Sequence, residues 1–442
     1  MPNWRVVCRF AVFVCVATLV VLYFVLTHTN PLPRIVSWLD EITATSLSKP
    51  AGPWAVRAGD QPDSATVVPG AIVVSAAGSV EARNPGSGKR LWTLDDSWAT
   101  VGGGSNPVVV VGHPAGGGFD VVAAASGEHL WSDNDRDAVW AFSDVILILH
   151  CPHQSNCQLQ ADDPTSGKPQ WRTKLDGAGS SMRGLGGPFA TLQPIAADYA
   201  KSLGAVPSAV PTFVGLNLGG DVHVISTARK REVRVYPAGK DQRVVVAGNE
   251  VIVATSAPHA GTCTYTIQGR DAATNATRWT RTGFNPHTTS GLACDQRNDP
   301  KGAGGALLAT DTSGRDVLLN VGTGALMYRA PAGAHIVATD GAVALARLAD
   351  GKTLQAADAE SGAPLWQRPV TKDALVGVGS GVVMIADPVN GRMVAVKPES
   401  GAVMLNVASG ATVLGVGANY LVVNIGRTFG PLLLSSGQAA GP

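Results

Sequence analysis

Apolar residues fall along this chain in short runs that pair across turns. AIVVSAAGSVEA, VILILHCPHQSNCQLQA and GVVMIADPVNGRMVAV each hold two Val- and Ile-rich stretches separated by a few polar or glycine residues. Runs of that length and composition predict β-strands, and the intervening turns predict antiparallel hairpins. A polar phrase follows each pair, and in most cases a large aromatic residue then opens a further run. One stretch departs from this pattern. From Phe10 to Pro33 there is no charged residue, and FAVFVCVATLVVLYFVL is almost wholly apolar. About 20 such residues span a bilayer core as a helix.

The polar phrase recurs at fixed offsets. Ala161, Asp163, Ser166, Gly167 and Trp171 have the same spacing as Ala356, Asp358, Ser361, Gly362 and Trp366. Partial copies carry Asn84, Ser87, Gly88 and Trp92; Ser126, Gly127 and Trp131, with Ala123 at the acid position; Asp271, Thr274, Asn275 and Trp279; and Asn320, Thr323, Gly324 and Tyr328. KPESGAVML keeps Ser400 and Gly401 with Leu405 in the aromatic place, and ISTARKREV reads as a worn copy anchored at Val233. Asp or Asn followed by Ser/Thr-Gly is turn chemistry, because the side chain bonds nearby backbone and the last residue tolerates positive φ. Asn275 suits that last position, since Asn also visits the left-handed region. Recurrence at one offset marks Asp163 and Asp358 as turn formers, not catalytic carboxylates. Each unit is then a small antiparallel sheet whose outer strand carries a flat ring able to pack on the next sheet. Anchors about 40 residues apart are the signature of a β-propeller.

A-x-D-x-x-[ST]-G-x-x-x-W resembles the tryptophan-docking motif of the PQQ-like propeller repeat family, shared by quinoprotein alcohol dehydrogenases and the non-enzymatic assembly factor BamB. Two copies match in full and five in part, over nearly the whole body. The resemblance implies an all-β ring of about eight four-stranded blades, and the phrases number eight, with seven or nine blades also compatible with the less tidy β-runs. YLVVNIG…PLLLSS, after the last phrase, reads as part of another blade that pairs with strands near Trp54 to close the ring.

The apolar N-terminal run sets the compartment. Arg5 and Arg9 precede it, so the positive-inside tendency keeps residues 1–9 cytoplasmic. THTNPLPR follows it without a small-x-small cleavage site, which favours an uncleaved signal anchor at residues 10–30 over a cleaved signal peptide. Residues 31–50 read as a linker and residues 51–438 as the extracytoplasmic propeller, giving a single-pass protein of the cell membrane. Cys8 and Cys15 lie in or beside the anchor, where a small apolar side chain needs no further role. Cys151, Cys157, Cys263 and Cys294 lie outside, where disulfides form and persist.

HCPHQSNC, residues 150–157, has the look of a metal cage. A zinc site needs free thiolates and both histidines turned inward, whereas His150 and Cys151 on an extended strand point to opposite faces. Cys151 ends one strand of a hairpin and Cys157 begins the next, so a disulfide is favoured over metal and over unpaired thiols. Cys263 and Cys294 remain as the second candidate pair, one that ties a long loop to the ring. No third group is apparent to orient His153 as a base for a nucleophilic cysteine.

Net charge is +1 with no basic block, which gives no reason to expect nucleic acid. The Ala-, Val- and Gly-rich composition is associated with a GC-rich bacterial genome and, with the anchor, with an actinobacterial type of envelope. The quinoprotein resemblance raises a PQQ- and calcium-dependent dehydrogenase. The chain lacks the adjacent cysteines of many such enzymes and is much shorter than they are. Asp133, Asp135 and Asp137 lack the turn glycine and closing Glu of a calcium loop. His113, His259 and His287 are isolated. The expectation is therefore a non-catalytic scaffold without cofactor or metal, holding envelope-biogenesis or transport membrane proteins. A glycan- or ligand-binding sensor is the alternative. The stretched intervals before Val233 and before Tyr328 are loop-like, and long loops on a rigid ring are where partners dock.

Overall fold

VILIL has no polar alternation because its strand is buried on both faces. Ile146 and Ile148 pack towards one neighbouring sheet, and Leu147 and Leu149 towards the other. The computed structural model describes residues 45–46 and 52–434, except 77, 96–97, 114–117, 135, 154–155, 178–180, 183–208, 238, 291–293, 380, 388, 409 and 418–419. The expected anchor at residues 10–30, most of the linker, Cys8 and Cys15 lie outside the described residues. Among the described residues, no helix is long and apolar enough to cross a membrane.

The strands form nine four-stranded antiparallel blades: 62–94, 98–133, 138–176, 181–236, 242–282, 302–329, 335–369, 375–408 and a ninth at 412–433. The count is one more than the eight phrases predict. The ninth blade has no phrase of its own. Its three consecutive strands, Thr412–Val416, Tyr420–Ile425 and Thr428–Leu433, are completed by Val56–Arg57 from the other end of the chain. Thr45–Ser46 runs parallel to Val407–Ala408 on the outer edge of blade 8.

Nine apolar clusters sit at the nine interfaces, one between each blade and the next. The cluster of Ala65, Ile72 and Val74 with Leu414, Val422 and Phe429 joins blade 1 to blade 9. That contact makes the array a closed ring, and closure removes the exposed faces that an open stack would leave at each end.

Up-and-down connectivity sorts the turns. In blades 1 to 8 the third-to-fourth turns lie on one face of the ring, and the second-to-third turns lie on the other with the links between blades. All the phrases are third-to-fourth turns and so share one face.

Candidate functional site

Each phrase builds a turn in the way its residue types dictate. The Asp358 carboxylate accepts the backbone N–H of Ser361 at 2.7 Å and its hydroxyl at 2.6 Å, while Gly362 N–H donates to the Asp358 carbonyl at 2.9 Å. Asn84, Asp163, Asp271 and Asn320 accept the corresponding bonds. These bonds to the charged form hold Asp358 below the usual carboxylate range, the Ser361 hydroxyl acting most strongly. Asp271 falls further, to about 2, chiefly because Arg278 binds it, with Thr274 adding to the effect.

The Gly of each turn is where the preceding blade's ring lands. A Cβ built on Gly127 would sit 2.5 Å from Trp92, one on Gly167 2.6 Å from Trp131, one on Gly324 2.6 Å from Trp279 and one on Gly401 2.8 Å from Trp366. The indole N–H then donates to a turn carbonyl of that next blade: Trp92 to Ala124 at 2.8 Å, Trp131 to Pro164 at 3.0 Å, Trp279 to Val321 at 2.8 Å and Trp366 to Pro398 at 2.6 Å. A register shift in the outer strand accompanies each ring, as between Ala82↔Trp92 and Arg83↔Arg90, and such bulges re-aim a side chain.

Three positions depart from expectation. Trp54, one repeat before Trp92, docks on Gly88 and donates to Pro85 O at 2.7 Å, so it is the anchor of the ninth blade. Its spacing was the available signal. Tyr328 is buried but does not cover Gly362, and its hydroxyl has no partner among the described residues. Val233 is not the anchor of blade 4, because the register that pairs Ala161 with Trp171 pairs Val224 with Arg234. Lys230, at φ 57°, takes the Gly place there, and Ser226 takes the acid place by accepting Arg229 N–H at 3.1 Å. Tyr236, two residues beyond Arg234, bonds the Asn275 side chain at 2.6 Å across to blade 5.

Trp171 faces this altered turn. It is half-buried against the blade 3–4 core, and its indole N–H has no hydrogen-bond partner among the described residues. Both cysteine pairs are bonded, Cys151–Cys157 with Cα atoms 4.1 Å apart and Cys263–Cys294 with Cα atoms 5.6 Å apart. The first closes the tip of the hairpin 146–162. The second ties the hairpin 250–271 to the segment between blades 5 and 6, on the face opposite the phrases. His150 turns away from Cys151 towards Asp133 of blade 2, at 3.4 Å. The long interval before Val233 divides at Ser181–Met182, the inner strand of blade 4, and its far end is held by Val210 N–H donating to Asp144 at 2.8 Å. His113 and His129 both lie against Asp120, at 3.2 and 3.4 Å, and His287 bonds Thr310, while Asp137 accepts Cys151 N–H.

Among the described residues, no group of three His, Cys, Asp or Glu could hold a metal ion. A polar cleft of about 320 Å³ on blade 1 is lined by Asp60, Glu81, Arg90 and Asp95 among others, with no aromatic wall. Neither this cleft nor any acid cluster among the described residues fits a planar quinone seated over calcium.

The repeat geometry has a counterpart among known families. The family model of the outer membrane protein assembly factor BamB matches residues 264–415. That span runs from blade 5 into blade 9 and includes the turns at Asp271, Asn320 and Asp358. No curated protein matches the chain. Among solved structures, BamB from Moraxella catarrhalis is 15% identical, with a TM-score of 0.41 over 88% of this chain and 98% of its own. Quinohemoprotein alcohol dehydrogenase from Comamonas testosteroni is 13% identical, with a TM-score of 0.41 over 88% and 77%. The computationally designed Ika8 protein is 11% identical, with a TM-score of 0.40 over 86% and 98%. Likeness at this level carries no functional argument.

Proposed function

We propose that the chain is a non-catalytic propeller that acts as a protein-binding scaffold in the cell envelope, tethered by residues 10–30. The observation that carries this reading is the BamB family match over residues whose recurrent Asp and Asn side chains are engaged in turns. A carboxylate that accepts two or three local N–H and O–H groups and sits below its usual pKa is a poor general base at neutral pH. An assembly role suits a rigid ring with a broad rim, and the tether places that rim on the outer side of the membrane.

Two measurements test the reading. Full-length protein incubated with PQQ and Ca²⁺ is expected to show no dye reduction with alcohols, and turnover would overturn the non-catalytic assignment. Photoreactive residues at the exposed positions Asp176 and Ala209, flanking the long segment of blade 4, are expected to capture one envelope-biogenesis or transport protein recurrently in native membranes. A melting shift on addition of glycan, with no protein captured, would instead favour a ligand sensor. Resistance to carbonate extraction, lost on deleting residues 10–30, checks the tether.

A further inference from the structure

Blades 4 and 5 meet at a socket that departs from the repeat at three places. The register that puts tryptophan at the anchor in blade 3 puts Arg234 there in blade 4. The phrase turn of blade 5 carries Asn275, at φ 65°, where the docked sockets carry Gly. The third departure is on the neighbouring strand of blade 5. In blade 1 the residues on either side of Ala82, the partner of Trp92, are Glu81 and Arg83, which form an ion pair at 2.9 Å. In blade 5 the residues on either side of Gly269, the partner of Trp279, are Gln268 and Arg270. Arg270 donates to the Gln268 side-chain oxygen at 2.8 Å, so the amide holds the guanidinium without neutralising it.

Strand pairing shows that the two arginines face each other. Val224 pairs with Arg234 and Val222 with Tyr236, while Val253 pairs with Gln268 and Val251 with Arg270. All four valines belong to the apolar cluster shared by blades 4 and 5, and directly paired residues share a sheet face. Arg234 and Arg270 therefore enter one gap from opposite sheets. Burial pushes the Tyr236 hydroxyl up, and the charges of Arg270 and Arg234 both act against that shift, which puts the two guanidiniums near one atom. The neighbouring carboxylates are engaged elsewhere. Glu232 lies on the other side of its strand and binds His223 at 2.6 Å, and Asp271 and Glu250 are both taken by Arg278. Arg234 has no ion pair or hydrogen bond among the described residues.

We infer that the gap between Arg234 and Arg270 binds an oxyanion of the phosphate or sulfate type, either free or esterified to a sugar. The site goes beyond the scaffold reading and does not depend on it. Two like charges at the edge of an apolar interface repel, and an anion between them turns that repulsion into two attractions. The guanidinium fork matches paired oxygens. A planar carboxylate offers its two oxygens to one fork, whereas a tetrahedral anion has oxygens for forks on both sides. Arg234 and Arg270 come from opposite sheets, so the tetrahedral anion is the better match.

The probes are inorganic phosphate, inorganic sulfate and glucose 6-phosphate, each titrated calorimetrically onto the full-length protein in a non-ionic detergent at low salt. Saturable binding at one site per chain is expected, weakening as salt rises. Arg234→Gln and Arg270→Gln should each weaken it about tenfold, through loss of one charge-assisted fork. Gln268→Glu gives Arg270 the counter-ion that Glu81 gives Arg83. It should also weaken binding about tenfold, with no fall in melting temperature, so a lost fold cannot account for the effect. Tighter binding of glucose 6-phosphate than of inorganic phosphate supports the site with an esterified ligand, and the reverse order supports it with the free ion. Absence of saturable binding by every probe overturns the inference, as does binding that the three variants leave unchanged. Equal weakening by Lys168→Gln, an exposed cation on blade 3, marks an adventitious ion only and overturns it too.

Discussion

The Trp92–Gly127 and Trp171–Lys230 sockets occupy the same register on neighbouring pairs of blades, and only one of them is closed. Trp92 lies flat on a residue without a side chain and bonds Ala124 O. Lys230 holds the equivalent place on the turn that follows Trp171, whose indole N–H has no hydrogen-bond partner among the described residues. Strand pairing, the outer-strand bulge and the ring are common to both, and the facing turns differ, with Gly127 in blade 2 and Lys230 at the equivalent place in blade 4. The ring still packs against the apolar cluster of the blade 3–4 interface, as Trp92 does at the blade 1–2 interface.

The largest effect is expected where a docked ring also closes the circle. Trp54→Ala should destabilise by about 3–5 kcal/mol, since it empties the seam between blades 9 and 1, whereas Trp171→Ala should cost about 1–2 kcal/mol. Thermal and chemical denaturation of the two variants measures both, and equal losses would erase the distinction between the sockets. Next comes the facing turn. Gly127→Ala, at φ +72° and against Trp92, should destabilise by about 2–3 kcal/mol. Lys230→Gly, at the equivalent place with φ 57°, should stabilise by about 0.5–1 kcal/mol. The same position thus gives opposite signs, and matching signs would break the comparison. A smaller contrast lies in the donor alone, because Trp131→Phe should cost about 1 kcal/mol through loss of its bond to Pro164.

Acid should separate the turns in the same way. The Asp271 carboxyl is depressed to about 2 in the folded protein, below its unfolded value of about 3.9. Its contribution is therefore complete above about pH 4 and is lost as pH falls towards 2. Asp358 moves in the same direction. Blade 4 uses the neutral Ser226 at that place. Amide NMR signals of Thr274 and Ser361 should titrate in this acid range while that of Arg229 stays fixed.

Much of this architecture was legible in the chain. The turn role of Asp163, Asp271 and Asp358 follows from residue type and offset, because an Asx turn is a contact within four residues. The pairing of Cys151 with Cys157 was legible for the same reason, as their strands are joined by a short hairpin. Trp54 was harder to see, since its phrase partner is in blade 1 while its strand belongs to blade 9. The anchor of blade 4 slipped by one residue, from Val233 to Arg234, because Lys230 stands where Gly or Asn marks the register elsewhere.

The sequence by itself determined the blade as a unit: paired apolar runs, a turn that only certain residues make, and a ring one repeat from the next. These are short-range matters, settled by backbone sterics and neighbouring side chains. Only the tertiary structure decided that nine blades close the ring and that its two ends share one of them. It also decided that Lys230 takes the Gly place on the turn after Trp171, whose indole N–H has no partner among the described residues. Closure and docking depend on which faces meet across blades, and a periodic pattern records the faces without recording what each one meets.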